Sequence, residues 1–375
     1  MSISVMGLQP RQECHQITGE DLRELANFED QHGHAISYYY SPFSARTHSH
    51  RQELTLLQQE VKDKLHSSGT RKALAEEVRR DLDDVLAAAY DTPHVCSRLR
   101  AIFACRARRI WREFELPAAA PVRRLEMSTQ FCLTPLLHAL QSCSPYCLVT
   151  IAEGKAGGFT IAAEEIHEVA AAFRAADSRA SSQFLADGKD YSERLAMEIQ
   201  KFAALQGTRR LVVGCSEKLW KELEPLLLDS RAVELLGHFQ LHDSGLAPRR
   251  LMQHAGPIFH DYLQRRCASL VREVRENPGQ AAVDFWPVWQ RLQEGRVETL
   301  LLDPSTNEMV AQCRRCGHLQ DSANRPCAAC HSSELAYTLA EEVLVRQALT
   351  RNVEIVPVRT DKQHLFGRMA ALLAR

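Results

Sequence analysis

The sequence predicts a mixed α/β (α+β) protein of three domains, each a mixed sheet with helices, the last carrying a metal-binding insertion. Three observations lead there. At 375 residues the chain exceeds the size at which a single core usually stops growing, so it divides. Short apolar runs rich in β-branched and aromatic residues alternate with helical apolar periodicity through most of its length. Finally, Cys-Arg-Arg-Cys, ten intervening residues and Cys-Ala-Ala-Cys run from Cys313 to Cys330.

That last spacing is a zinc ribbon. Each Cys-x-x-Cys knuckle is a tight turn that aims two thiolates at one ion. Four sulfurs at about 2.3 Å complete a closed tetrahedral shell, so Cys313, Cys316, Cys327 and Cys330 are expected to hold one structural Zn2+. Gly317 supplies the turn after the first knuckle and Pro326 stiffens the approach to the second. The competing reading, four unrelated thiols, requires two x-x pairs by accident. His318 and His331 are neighbours of a shell that four cysteines already satisfy.

Hydrophobic content of 45% and charged content of 25% are ordinary for a soluble globular protein, and no apolar run approaches the roughly 18 residues that span a bilayer. The polar stretch 1–16 has no signal-peptide core, which predicts a cytoplasmic protein with no membrane partner. Its 12 cysteines are then reduced thiols, those outside the ribbon being core or incidental. A net charge of -1 excludes a uniformly basic coat but leaves room for local basic patches.

The first domain is assigned to residues 1–143. Ile17 to Leu22 marks a helix start, Thr18 capping and Asp21 reciprocating. A strand spans Ala35 to Tyr40, and two helices, Gln52 to Leu65 and Lys72 to Ala89, form a hairpin whose tip carries Arg71 and Lys72. Strands Leu99 to Ala104 and Ile110 to Leu116 flank a loop in an arginine run, six between Arg98 and Arg112 with no acid. Arg106, Arg108 and Arg109 at that tip are candidate RNA-phosphate ligands; a solvated turn is the plainer alternative. The middle domain, 144–243, starts with the hairpin Tyr146 to Ala152 and Gly158 to Ala162, followed by a helix near Glu164 and a polar loop whose Arg179, Ser181, Ser182 and Gln183 are, with Arg71 and Lys72 of the hairpin tip, further candidate RNA contacts. Helix Tyr191 to Leu205, strand Leu211 to Cys215, helix Glu217 to Leu228 and strand Val233 to Leu241 continue an α/β layer. The last domain, 244–375, contains a long helix, a helix over Ala281 to Leu292, an apolar strand Val297 to Asp303, the ribbon, a helix Leu339 to Thr350, a strand Val353 to Val358 and a closing helix Phe366 to Leu373. No Ser-His-Asp set, Walker loop or open metal site is evident.

The order of elements resembles the bacterial archaeo-eukaryotic release factor-like family, part of the superfamily of archaeal and eukaryotic class-one release factors and Pelota. The residues that carry it are the strand at Ala35 to Tyr40, the run Gln130 to Leu137 leading into Pro145-Tyr146, the phrase Gln293 to Leu302, the four-cysteine ribbon, and Leu365 to Leu373. The resemblance spans nearly the whole chain. It implies a ribonuclease H-like middle domain and a kink-turn ribosomal-protein-like third domain. It also implies entry into the ribosomal A site, contact with ribosomal RNA, and a translational GTPase partner such as elongation factor Tu. Two departures qualify it. Release factors carry Gly-Gly-Gln before the long middle helix, whereas the corresponding loop here reads Ser181-Ser182-Gln183, and Cβ-bearing serines do not take glycine-only backbone angles without strain. Stop-codon readers carry Asn-Ile-Lys-Ser at the first hairpin tip, replaced here by Ser67 to Lys72. The expectation is a non-enzymatic factor that occupies the A site without hydrolysing peptidyl-tRNA, as in hibernation or stress protection. The alternatives are a rescue factor that hydrolyses peptidyl-tRNA and an RNA-binding scaffold not bound to ribosomes.

Overall fold

The computed structural model describes residues 15–30, 34–41, 72–91, 99–116, 124–137, 144–153, 155–162, 165–169, 188–230, 232–243, 245–303, 306, 308–358 and 368–374, with 55, 56, 58 and 59. The chain forms two compact units, one made of 1–141 together with 272–375 and the other of 142–271.

In the first unit, β1 (His15–Gln16), β2 (Ala35–Tyr40), β3 (Leu99–Cys105), β4 (Ile110–Leu116) and β5 (Arg124–Ser128) form a sheet ordered β1-β4-β3-β2-β5. Helix α1 (Gly19–Asn27) starts at a capping box in which the Thr18 hydroxyl accepts from the Asp21 N–H at 3.2 Å and the Asp21 carboxylate accepts from the Thr18 N–H at 2.8 Å. Helix α2 (Lys72–Asp91) lays Val78, Leu82, Val85 and Leu86 against Ile36, Tyr38, Tyr40 and Ile102, as its apolar spacing requires. The first helix expected in the hairpin lies mostly outside the described residues, as do its tip and Arg71, and only the backbone of Lys72 is described.

The later part of this unit carries β11 (Ala281–Val283), α6 (Phe285–Gln293), β12 (Val297–Leu302), the ribbon strands β13 (Met309–Cys313), β14 (Leu319–Gln320) and β15 (Leu335–Leu339), α7 (Ala340–Thr350), β16 (Glu354–Pro357) and β17 (Met369–Leu373). Two expectations are corrected here. Residues 281–283 are a strand, and the helix begins only after Asp284, whose φ of 69° turns the chain. Pro287 is tolerated in α6 because it falls in the first turn, where the N–H groups have no helical acceptor. The closing segment is likewise a strand: β17 lies between β11 and β12, antiparallel to both, with every side chain buried. Met-Ala-Ala-Leu-Leu is apolar throughout, so it has no period to separate a buried strand from a buried helix.

The second unit holds β6 (Tyr146–Ala152), β7 (Lys155–Ala162), β8 (Glu165–Glu168), α3 (Gly188–Leu205), β9 (Arg210–Cys215), α4 (Glu217–Leu228), β10 (Glu234–Gln240) and most of α5 (Pro248–Glu276). The sheet order is β10-β9-β6-β7-β8. Alternate residues of the sheet face two helical layers. Val149, Leu211 and Val213 pack with Ile199 and Phe202 of α3 and Trp220 and Leu223 of α4. Leu148 and Val212 pack with Leu251, Ala255 and Phe259 of α5. Gly214 leaves room for the Phe239 ring, which a Cβ there would meet at 2.6 Å. The helix expected near Glu164 is replaced by β8, which pairs with β7 through Ile161 and Ile166. The loop containing Arg179, Ser181, Ser182 and Gln183 lies outside the described residues.

Candidate functional site

The ribbon sheet is ordered β14-β13-β15 and delivers both knuckles to one point. In the first knuckle the Gly317 N–H donates to the Cys313 carbonyl at 2.8 Å, and Gly317 takes φ 73°. The second repeats this arrangement: the His331 N–H donates to the Cys327 carbonyl at 2.9 Å, with His331 at φ 58°. His331 therefore occupies the turn position that Gly317 fills in the first knuckle. Sequence reasoning identified the histidine only as a neighbour, because a non-glycine residue at positive φ gives no compositional signal. Each knuckle is also tied back to its return strand, Cys313 N–H to the His318 carbonyl and Cys327 N–H to the Ser332 carbonyl, both at 2.9 Å.

The four Sγ atoms lie within 4.8 Å of one another, with Cys313–Cys330 and Cys316–Cys327 each 3.5 Å apart across the knuckles. Sulfurs at about 2.3 Å from one tetrahedral ion stand about 3.8 Å apart, so the four thiols fit such a shell. Desolvation raises the Cys313 thiol, but the Cys316 and Arg315 N–H groups and the Cys330 thiol outweigh it and bring it down to about 7. Cys316 receives the His318 N–H yet is pushed up to about 12 by the Cys330 thiol, desolvation and the Cys327 and Cys313 thiols. Sulfurs this close share protons; a cation would take their place. The other buried thiols show no such clustering. Cys147, raised to about 12 by desolvation, is a core residue of the second unit.

Arg106 and Arg108 of the arginine run are folded against acids. The Arg106 backbone N–H and Nε donate to Asp81 at 2.7 and 2.8 Å, and its guanidinium also pairs with Asp84; both acids belong to α2. The Arg108 Nε donates to the buried Asp30 at 3.2 Å. Burial raises the Asp81 carboxyl, with the Arg106 N–H and charge opposing. Arg109 sits at the tip with φ 57°.

Two residues that sequence reasoning missed join the early and late parts of the first unit. The Glu342 carboxylate accepts the Leu133 N–H at 2.8 Å, the Thr134 N–H at 2.9 Å and the Thr134 hydroxyl at 2.6 Å. One Arg346 amino group donates to the carbonyls of Leu25, Ala26 and Phe28 at the end of α1, and the other reaches the Phe131 carbonyl at 2.5 Å. The two side chains sit one helical turn apart, 3.6 Å between Arg346 Nη2 and Glu342. A guanidinium over the last carbonyls of a helix satisfies orphan acceptors and the negative end of its dipole together. In sequence, Glu342 and Arg346 look like an ordinary surface i,i+4 pair.

No family model and no curated protein sequence matches the chain. Solved structures similar to it include the archaeal translation termination factor aRF1 at 12% identity, covering 96% of this chain and 99% of that one with a TM-score of 0.26. Archaeal Pelota, as described bound to the ribosome with ABCE1, matches at 13% identity, 96% and 95% coverage and a TM-score of 0.39. The C-terminal domain of a peptide chain release factor from Methanosarcina mazei matches at 24% identity, 36% of this chain and 95% of that one, with a TM-score of 0.27. No helix among the described residues is long and apolar enough to cross a membrane.

Proposed function

We propose that this chain is a zinc-containing translation factor that occupies the ribosomal A site without hydrolysing peptidyl-tRNA, as in hibernation or stress protection. The ribosome as partner is supported by the whole-chain resemblance in sequence. The absence of hydrolysis rests on one observation: Ser181-Ser182 stand where the family's hydrolases have two glycines. Ester hydrolysis there needs a sharply bent backbone that holds water within reach of Gln and the ester carbonyl together, and two Cβ atoms oppose that bend. Cys313, Cys316, Cys327 and Cys330 would hold the zinc, which supplies a cross-link to the ribbon and no open coordination position.

Co-sedimentation with vacant and translating ribosomes at graded salt tests the partner, with binding expected to weaken steeply as salt rises. Peptide release on stalled ribosomes tests the chemistry, using wild type, Gln183→Ala and a variant with glycine at 181 and 182. No release by wild type is expected. Release that disappears in Gln183→Ala would overturn this reading in favour of a rescue hydrolase, and the absence of any ribosome binding would favour an RNA-binding scaffold. Purified, reduced protein is expected to hold one equivalent of zinc; less than about half an equivalent rejects the closed thiolate shell.

A further inference from the structure

Two groups of arginines in the first unit differ in their partners. Arg100, Arg106, Arg108, Arg112 and Arg124, on or beside the first sheet, each form an ion pair with a carboxylate: Glu113 and Glu115, Asp81 and Asp84, Asp30, Glu24, and Glu126 respectively. On the ribbon, Arg314, Arg315 and Arg325 are exposed, and among the described residues none of the three has an ion pair or a side-chain hydrogen bond. Each lies within two residues of a cysteine whose Sγ is within 4.8 Å of the other three, so the fold gathers the three charges at the knuckle end. The ribbon's own acids, Asp321 and Glu334, are exposed and likewise form no ion pair with them.

An aromatic ring accompanies the charges. Tyr337 of β15 pairs in register with Ala311 and is 50% exposed. Its hydroxyl accepts the Ala323 N–H at 3.2 Å, which holds the ring by the loop leading to Arg325. A half-exposed ring anchored by its polar tip to the loop that carries Arg325 offers a stacking surface on the same ribbon as the phosphate ligands, the combination that grips an unpaired nucleic-acid strand.

We propose that the ribbon is a single-stranded RNA contact, with Arg314, Arg315 and Arg325 taking backbone phosphates and Tyr337 stacking on a base. The proposal rests on the ribosome reading above and names the face through which this chain touches ribosomal RNA. It shifts the RNA-binding role away from Arg106 and Arg108, whose charges are already matched by acids.

The test uses the full chain with two probes, vacant ribosomes and a fluorescein-labelled oligouridylate, over a salt series. A variant with glutamine at 314, 315 and 325 is expected to keep wild-type metal content, to bind both probes at least about tenfold more weakly, and to flatten the log–log salt slope by roughly 0.7–1 for each arginine that contacts a phosphate. Tyr337→Leu is expected to lose about tenfold, the scale of one base stack, while Tyr337→Phe retains affinity because the ring remains. Lys155→Gln, a charge removed from the second unit, is the control and should bind as wild type does. Unchanged binding of both probes by the triple variant overturns the proposal. So does displacement of the ribosome by polyglutamate but not by oligouridylate, which would assign the face to an acidic protein. Arginine-dependent binding of oligouridylate by a protein that does not bind ribosomes upholds the ribbon contact and overturns the A-site reading instead.

Discussion

Each of the two units is held together internally by its own means. The second is one continuous stretch, and its sheet is covered on both faces by interleaved apolar side chains, Leu211 and Val213 on one side and Leu148 and Val212 on the other. The first joins two distant stretches of chain, and its joint is built from side-chain charge on backbone: Arg346 on the α1 carbonyls and Glu342 on the Leu133 and Thr134 N–H groups. Apolar packing is non-directional and tolerates small repacking, whereas a buried charge needs every partner in place. The contrast teaches that the joint within the first unit depends on a few atoms, whereas the second unit depends on summed area.

Arg346→Ala should show this most strongly. It leaves the half-buried Glu342 carboxylate without its cation and four carbonyls without their donor, an expected loss of about 4 kcal/mol. In a denaturant titration read by hydrogen exchange, the amides of α1 and α7 should lose protection while those of β9 do not; equal losses in both units would break the comparison. Leu223→Ala is the counterpart in the second unit. Leu223 is fully buried, and its removal should cost about 3 kcal/mol, mostly as unfilled cavity, confined to exchange within α3, α4 and β9.

The smallest effect concerns Glu341, buried beside the joint with one carboxylate oxygen lacking a hydrogen-bond partner. Desolvation, with the charges of Glu342 and Glu308 adding to it and the residue's own N–H and Arg124 opposing, raises its pKa to about 7. A carboxyl with a raised folded-state pKa binds its proton more tightly when folded. Its contribution is therefore full below the unfolded pKa of about 4.3 and is lost as pH rises through the folded value near 7. Stability of the first unit should fall by on the order of 2 kcal/mol between pH 5 and 8. Glu341→Gln should flatten that slope and leave the second unit's pH dependence unchanged; a slope that survives the substitution would assign it to another group.

Legibility followed the same division. The second unit was readable because its elements alternate with clear periods and short connections, and only β8 was lost, an edge strand of four residues with two charged ends. The capping box at Thr18 and the ribbon were readable because both are spacing rules with local chemistry. In the first unit, β11 and β17 were missed because their apolar runs carry no period, and Arg346 and Glu342 because their burial is set by chain 200 or more residues away. Arginine counting also does not register the acids that pair with Arg106 and Arg108, since they come from α2 and the turn at Asp30.

The position of β17 bears on how the chain reaches its native state during synthesis. It is an interior strand of its sheet, paired with β11 on one edge and β12 on the other, although it follows both by tens of residues in sequence. Until residues 369–373 have left the exit tunnel, β11 has no partner in that sheet and β12 offers an open edge. The carbonyls at the end of α1 meanwhile wait for α7. A nascent chain therefore carries the early part of the first unit unlatched while the continuous second unit can fold behind it. Protection of α1 in stalled nascent chains should lag that of β9 and appear only at lengths that expose α7 and β17.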